Sequence, residues 1–168
     1  SALDSPVVLD GASLTLDDLS EVACHGRPAV LSREAAFRVD AARAVIDRAV
    51  FENRVVYGVT TGFGLFSNVV IARNKLRELQ RNLVRSHAAG VGEVLPREAV
   101  RALMLLRANC LAKGFSGVRR ETLELLLALL HAGVHPVVPS QGSVGASGDL
   151  APLAHLVRAL MGEGLVEL

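Results

Sequence analysis

Between Leu123 and Leu130 the chain reads Leu-Glu-Leu-Leu-Leu-Ala-Leu-Leu. Wound at about 3.6 residues per turn, this run points apolar side chains in nearly every direction around a helix. Such a surface belongs in a core or at a subunit interface. It is far shorter than the ~20 apolar residues that span a bilayer. A chain that must surround one helix with others is committed to a mainly α fold. The composition points the same way: 51% of residues are apolar, only 4% are aromatic, and there is no Trp. Leu, Val and Ala favour packed helices over a β-sandwich. At 168 residues the chain can bury a real core, and we expect one helical domain over residues 1–168.

Charge excludes two classes of partner. Eighteen basic and 17 acidic residues are interspersed, giving a formal net charge of +1, which favours neither nucleic acid nor a membrane surface. Cys24 and Cys110 are too few for a disulfide framework and form no C-x-x-C pair, so they read as reduced core thiols of a cytoplasmic protein. The stretch SALDSPVVLD carries no signal-peptide pattern. Apart from His87, the four histidines His25, His131, His135 and His155 fall in no metal-ligand spacing, and no metal is expected.

Local signals place the elements. Val7 to Leu9 and Leu14 to Leu16 suit short extended pieces around an Asp10-Gly11 turn. Thr15 with Asp18 forms a capping pattern for a helix ending near Gly26. Ser32 caps a longer helix to about Phe51, with Ala36, Val39, Ala42 or Arg43, Ile46 and Val50 on one face. The stretch Tyr57 to Gly64 holds three glycines and two threonines, which is loop chemistry. Helical spacing returns at Arg73 to His87, where Leu76, Leu79, Leu83 and Ser86 recur. Further helices run from Pro96 to Lys113, from a Ser116 cap to His131, and from near Asp149 until Gly162 and Gly164 weaken the last. Pro136 and Pro139 frame an extended Val137-Val138 link.

That link feeds the stretch Gly142-Ser143-Val144-Gly145-Ala146-Ser147-Gly148-Asp149. One reading is a glycine-rich turn before a helix. The other is chemical. In a tight turn the Gly148 nitrogen attacks the Ala146 carbonyl carbon and closes a five-membered ring, and loss of water leaves Ser147 as an exocyclic methylene. Glycine suits this because the backbone must fold onto itself. A helix amino terminus just beyond would favour an electron-withdrawing ring. A nucleophile elbow fails, because the residue two after Ser147 is Asp149 rather than glycine. Glycines at 142, 145 and 148 also miss the dinucleotide fingerprint, and no phosphate-loop Gly-Lys-Ser/Thr occurs.

The run GSVGASGDLAPLAHL, Gly142 to Leu156, closely resembles the cofactor-forming segment of the histidine and aromatic amino-acid ammonia-lyases. YGVTTGFG (Tyr57 to Gly64) and LVRSHAAGVG (Leu83 to Gly92) match that family in the same order, and GFSGVRR (Gly114 to Arg120) looks most like its histidine branch. The resemblance covers roughly Thr15 to Gly164. It implies that Ala146, Ser147 and Gly148 form 4-methylidene-imidazol-5-one (MIO), with Asp149 supporting cyclisation or capping the next helix.

The other site roles come from the same resemblance. By composition, a lone tyrosine between Val56 and Gly58 reads as a packed strand-end residue; the family match makes Tyr57 the base that removes the substrate β-proton. A phenol, with reference pKa about 10, does this at neutral pH only where its surroundings stabilise the phenolate. Gly62 and Gly64 would let the loop approach the substrate, while Thr60 and Thr61 satisfy its backbone. Position alone makes His87 a partner for the helix carboxyl end; the family places it against the substrate side chain, where it suits an imidazole or a phenol. Arg85, Arg119 and Arg120 read as structural or solvated charges.

The resemblance implies an ammonia-lyase converting L-histidine to urocanate, assembled as a homotetramer. Family members are much longer, so this chain is expected to be an amino-terminal portion, inactive by itself and completed by the remainder of the lyase chain. Two alternatives stay open: a tyrosine ammonia-lyase or tyrosine 2,3-aminomutase, and a noncatalytic helical interaction module.

Overall fold

Thr15 and Asp18 form the capping box that their spacing predicts. The Asp18 N–H donates to Thr15 Oγ1 at 3.1 Å, and the Thr15 N–H donates back to Asp18 Oδ2 at 3.3 Å. Helix α1 (Leu16–His25) follows and stops at Gly26. The computed structural model describes residues 5–62, 69–142 and 150–168, with Arg73 described by its backbone alone. Strand β1 (Val7–Leu9) pairs in parallel with β2 (Ala29–Leu31). Leu14 to Leu16 is not the extended piece expected. Asp10 Oδ1 accepts the Ala12 and Ser13 N–H groups, both at 2.8 Å, which closes the turn early and leaves Thr15 free to cap. Those donors hold the Asp10 carboxyl down at about 2.

Ser32 caps α2 (Arg33–Phe51), accepting the Ala35 N–H at 3.0 Å. Its inward stripe is the predicted one, extended by buried Ala35 and Ala49. A 3-10 turn (Arg73–Lys75) leads into α3 (Leu76–His87), and β3 (Val91–Val94) precedes α4 (Arg97–Ala112). Helix α5 (Arg120–His131) begins three residues later than a Ser116 cap would allow. The cause is Gly117, with φ of +68° and its Cα pressed against Ile46 of α2. That left-handed backbone cannot start a helix, and a side chain there would collide with Ile46. Strand β4 (His135–Pro136) pairs with β6 (Val166–Glu167), and β5 (Pro139–Gln141) pairs with β3, both antiparallel. Helix α6 (Leu150–Leu160) completes a mainly α architecture of six helices among the described residues.

Helix α4 is the axis of the core. Val100, Met104, Leu105, Ala108 and Ala112 are buried on it, against Val22 of α1, Val39 of α2 and Leu123, Leu126 and Leu130 of α5. The leucine run of α5 is therefore packed along one stripe, while Leu125 and Ala128 face outward. The two cysteines are a correction: both are free but exposed rather than in the core. Cys110 lies between Ala108 and Ala112 in sequence, hence on the far side of the helix from their shared stripe.

Arg101 is buried inside this core. Its guanidinium donates to the Val22 and Ala23 carbonyls of α1, to the Leu130 carbonyl of α5 and to His135 Nε2, at 2.7–3.1 Å. Carbonyls in the last turns of two helices lack intrahelical partners, and one cation satisfies both ends.

Candidate active site

Two threonines build the Tyr57 turn. Thr60 Oγ1 accepts the Val56 N–H at 2.9 Å and donates to the Arg54 carbonyl at 2.6 Å. Thr61 Oγ1 accepts the Gly58 N–H at 3.2 Å and donates to the Gly62 carbonyl at 3.0 Å. Both threonines are buried, so they satisfy the loop backbone as expected. Gln80 of α3 donates to the Gly58 carbonyl at 3.3 Å and ties the turn to that helix. Tyr57, 63% exposed, is left on the open side of the turn.

His87 ends α3. Its Nδ1 lies 2.9 Å from the Leu83 carbonyl and 3.1 Å from Ser86 Oγ. A carbonyl only accepts, so this contact takes the proton of Nδ1 and leaves Nε2 as the ring nitrogen turned to other partners. The helix-end contact expected from position alone is thus present. Ser86, expected on the apolar face, is exposed, and His87 is the half-buried residue at that end.

Tyr57 and His87 line the same cavity, of about 400 Å³, together with Leu83 of α3 and Leu150, Ala154 and Val157 of α6. Helix α6 therefore brings the residues that directly follow the Ala-Ser-Gly stretch to the two side chains singled out from distant loops. Gly64, Ala146, Ser147, Gly148 and Asp149 lie outside the described residues. The flanks of that last stretch are described. Gly142 packs so closely on Gly90 and Ala151 that a Cβ on it would come within 3.0 Å of each.

His155 is one of the four histidines whose sequence spacing fits no ligand pattern. In the fold its Nε2 accepts the Gly90 N–H at 3.0 Å. Burial, then Arg158, pushes its pKa below the ordinary value, which keeps it an acceptor at neutral pH. Arg85 makes a two-pronged ion pair with Glu163 at 2.6 and 3.0 Å, so it is a structural charge linking α3 to the end of α6. Arg120 lies 3.5 Å from Asp40.

A second, larger cavity of about 570 Å³ lies behind the Tyr57 turn, with Arg43, Asp47 and Arg119 on its wall. Two of its charges are engaged locally: Arg43 pairs with Asp47 at 2.5 Å and donates to the Gly117 carbonyl at 3.4 Å. No cluster of His, Cys, Asp and Glu able to hold a metal occurs among the described residues. None of their helices is long and apolar enough to cross a membrane.

Residues 14–168 match the family model described as aromatic amino acid lyase. A histidine ammonia-lyase of Alkaliphilus oremlandii is 54% identical over 94% of this chain, which covers 31% of that relative. A histidine ammonia-lyase structure from Trypanosoma cruzi superposes with a TM-score of 0.87 at 45% identity, over 96% of this chain and 30% of that one. A tyrosine aminomutase structure from Streptomyces globisporus superposes with a TM-score of 0.90 at 38% identity, over 98% and 31%. The chain thus spans about a third of the length of the relatives it matches. With a family match over nearly its whole length, the chain belongs to the aromatic amino acid lyase family.

Proposed function

We propose that this chain is the amino-terminal part of an ammonia-lyase that eliminates ammonia from L-histidine to give urocanate. One observation carries the reading: Tyr57 and His87 share a cavity with Leu150, the first residue of the helix after Ala146-Ser147-Gly148. In the reaction the Cβ–H bond breaks and its electron pair becomes the Cα=Cβ bond. The C–N pair leaves with nitrogen. Tyr57 is assigned to take the β-proton. His87, protonated on Nδ1 by its bond to Leu83, presents Nε2 as an acceptor for the substrate imidazole N–H. Gly64 is assigned to the substrate side of the Tyr57 loop.

The flanks suit an MIO ring formed from Ala146, Ser147 and Gly148. Gly142 and Ala151 lie side by side, since a Cβ on Gly142 would fall 3.0 Å from that of Ala151, so the residues that flank the stretch are held together. Asp149 is assigned to cyclisation or to capping α6. When formed, the ring supplies an electrophilic methylene that makes the substrate amino group a better leaving group. The remaining side chains would come from the rest of the lyase chain and from further subunits of a homotetramer.

Because Nε2 would accept a phenol as readily as an imidazole, and because of the likeness to a tyrosine aminomutase, L-tyrosine is the competing substrate. The test is the complete protein incubated with each amino acid. Urocanate from L-histidine supports the proposal. Coumarate or β-tyrosine from L-tyrosine, with no urocanate, reassigns the substrate, and no turnover of either returns the protein to a noncatalytic helical role.

A further inference from the structure

Helix α6 has two working faces. Leu150, Ala154 and Val157 line the cavity. Ala151 and His155, one turn apart and so on a common face, look instead toward the crossing of residues 88–90 with residues 139–142. There His155 Nε2 accepts the Gly90 N–H at 3.0 Å. A Cβ on Gly90 would fall 2.9 Å from that nitrogen and 3.2 Å from Pro139 Cβ. A Cβ on Gly142 would fall 3.0 Å from both the Gly90 Cα and the Ala151 Cβ. One residue on, Val91 is paired with Gln141 in the β3–β5 ladder. Gly90 is therefore the common contact of Gly142, which precedes the Ala146–Gly148 segment, and of α6, which follows it. It also lies three residues past His87.

We propose that His155 is a positioning residue: by accepting the Gly90 N–H it pins both flanks of the Ala146–Gly148 segment to the backbone that carries His87. The inference rests on the function proposed above. The chemistry of the partner is particular. The Gly90 N–H is part-buried in a close crossing, and leaving such a backbone donor unpaired is costly. The imidazole must be neutral to accept, and its burial beside Arg158 favours that state. An apolar residue of similar size would fill the space without holding the crossing.

The test uses the complete protein and the variants His155→Leu, His155→Gln and Gly90→Ala. Ring content is read by intact mass. The Ala146 carbonyl oxygen leaves as water with the amide hydrogens of Ser147 and Gly148, and the Ser147 hydroxyl leaves as water with its Cα hydrogen. Each ring is thus two waters lighter. His155→Leu should lower kcat by about 10- to 100-fold with a smaller change in KM, as loss of alignment does, and should speed amide exchange at Gly90. His155→Gln, which keeps an acceptor, should recover most of the rate. Gly90→Ala, whose methyl takes the place of Nε2, should behave like His155→Leu, and the double variant should be no worse than either single one. Wild-type kcat and ring content in His155→Leu, or a Gln variant no better than Leu, would overturn the proposal. A wild-type protein at its full unreacted mass would overturn the functional reading alone. Gly90 exchange, unchanged or accelerated in His155→Leu, then decides the tether by itself.

Discussion

Helices α3 and α4 carry comparable apolar stripes and meet opposite fates. On α4, Val100, Arg101, Met104, Leu105, Ala108 and Ala112 are all buried. On α3 no residue is fully buried, although Leu76, Leu79 and Leu83 recur on one face. The stripe of α4 is met on three sides, by α1, α2 and α5. That of α3 meets α6 and the Tyr57 turn, and the space left over is the cavity. A helix completed by its neighbours holds the fold, and a helix left half-covered holds a site. The polar groups divide the same way. Arg101 and His135 are buried in the α4 core, whereas Tyr57 and the Arg85–Glu163 pair stand at the surface.

The largest effects should therefore fall on the α3 side and touch function alone. Ser147→Ala in the complete protein is expected to abolish lyase turnover, because alanine has no hydroxyl to lose and no methylene can form. Its circular dichroism should remain that of the wild type; loss of helicity together with activity would restore the structural reading of the glycine-rich turn. Tyr57→Phe is next. It removes one hydroxyl from a residue whose turn is built by Thr60 and Thr61, so folding and ring content should survive. Turnover should fall by about 10² to 10⁴, the usual contribution of a positioned base. Near-normal turnover would remove Tyr57 from the reaction.

On the α4 side the effects should appear as stability. Arg101→Met keeps the stem but leaves the Val22, Ala23 and Leu130 carbonyls without their donor. We expect a loss of about 3–5 kcal/mol, read from the urea midpoint. Within the same network, burial first, then Arg97 and Arg101, lowers the pKa of His135 against a smaller opposing pull from Glu167. The native state then holds the ring neutral, while the unfolded chain binds a proton below about pH 6.5. Between the depressed folded value and 6.5 the unfolded state carries more protons, so stability is complete above that window and is lost as pH falls through it. His135→Gln should flatten this part of the stability–pH curve; an unchanged slope would place the acid sensitivity elsewhere.

The same contrast marks how far the sequence could be read. The α2 and α3 stripes were legible because a period near 3.6 belongs to the residues themselves, and so was the Thr15–Asp18 box. The Tyr57 and Ser86-His87 stretches were legible as motifs. What escaped depends on partners far along the chain. Ser116 has the chemistry of a cap, but Gly117 is held left-handed against α2, some seventy residues upstream. Strands β2 and β3 are too short to announce themselves without β1 and β5. His155 bonds to a backbone N–H 65 residues away, and no local pattern encodes such a partner.

The smallest expected effect tests whether charge or packing joins α3 to α6. Arg85 reaches Glu163 with both prongs, at 2.6 and 3.0 Å, and each side chain is pulled toward its charged form by the other. Yet the Arg85 side chain is 50% exposed, and surface pairs are screened by salt and by the entropy of fixing two long side chains. The same two helices also meet through Leu83, Ala154 and Val157 around the cavity and, just past α3, through the His155–Gly90 bond, none of which salt screens strongly. Arg85→Gln should therefore shift the urea midpoint far less than Arg101→Met, leave turnover near wild type, and lose even that small difference at high ionic strength. A shift as large as that of Arg101→Met, or a turnover loss that salt reproduces in the wild type, would mean that the half-covered side is held by its ion pair. The contrast between the two helices would then lie in which interactions complete them, and the cavity would widen when that single pair is broken.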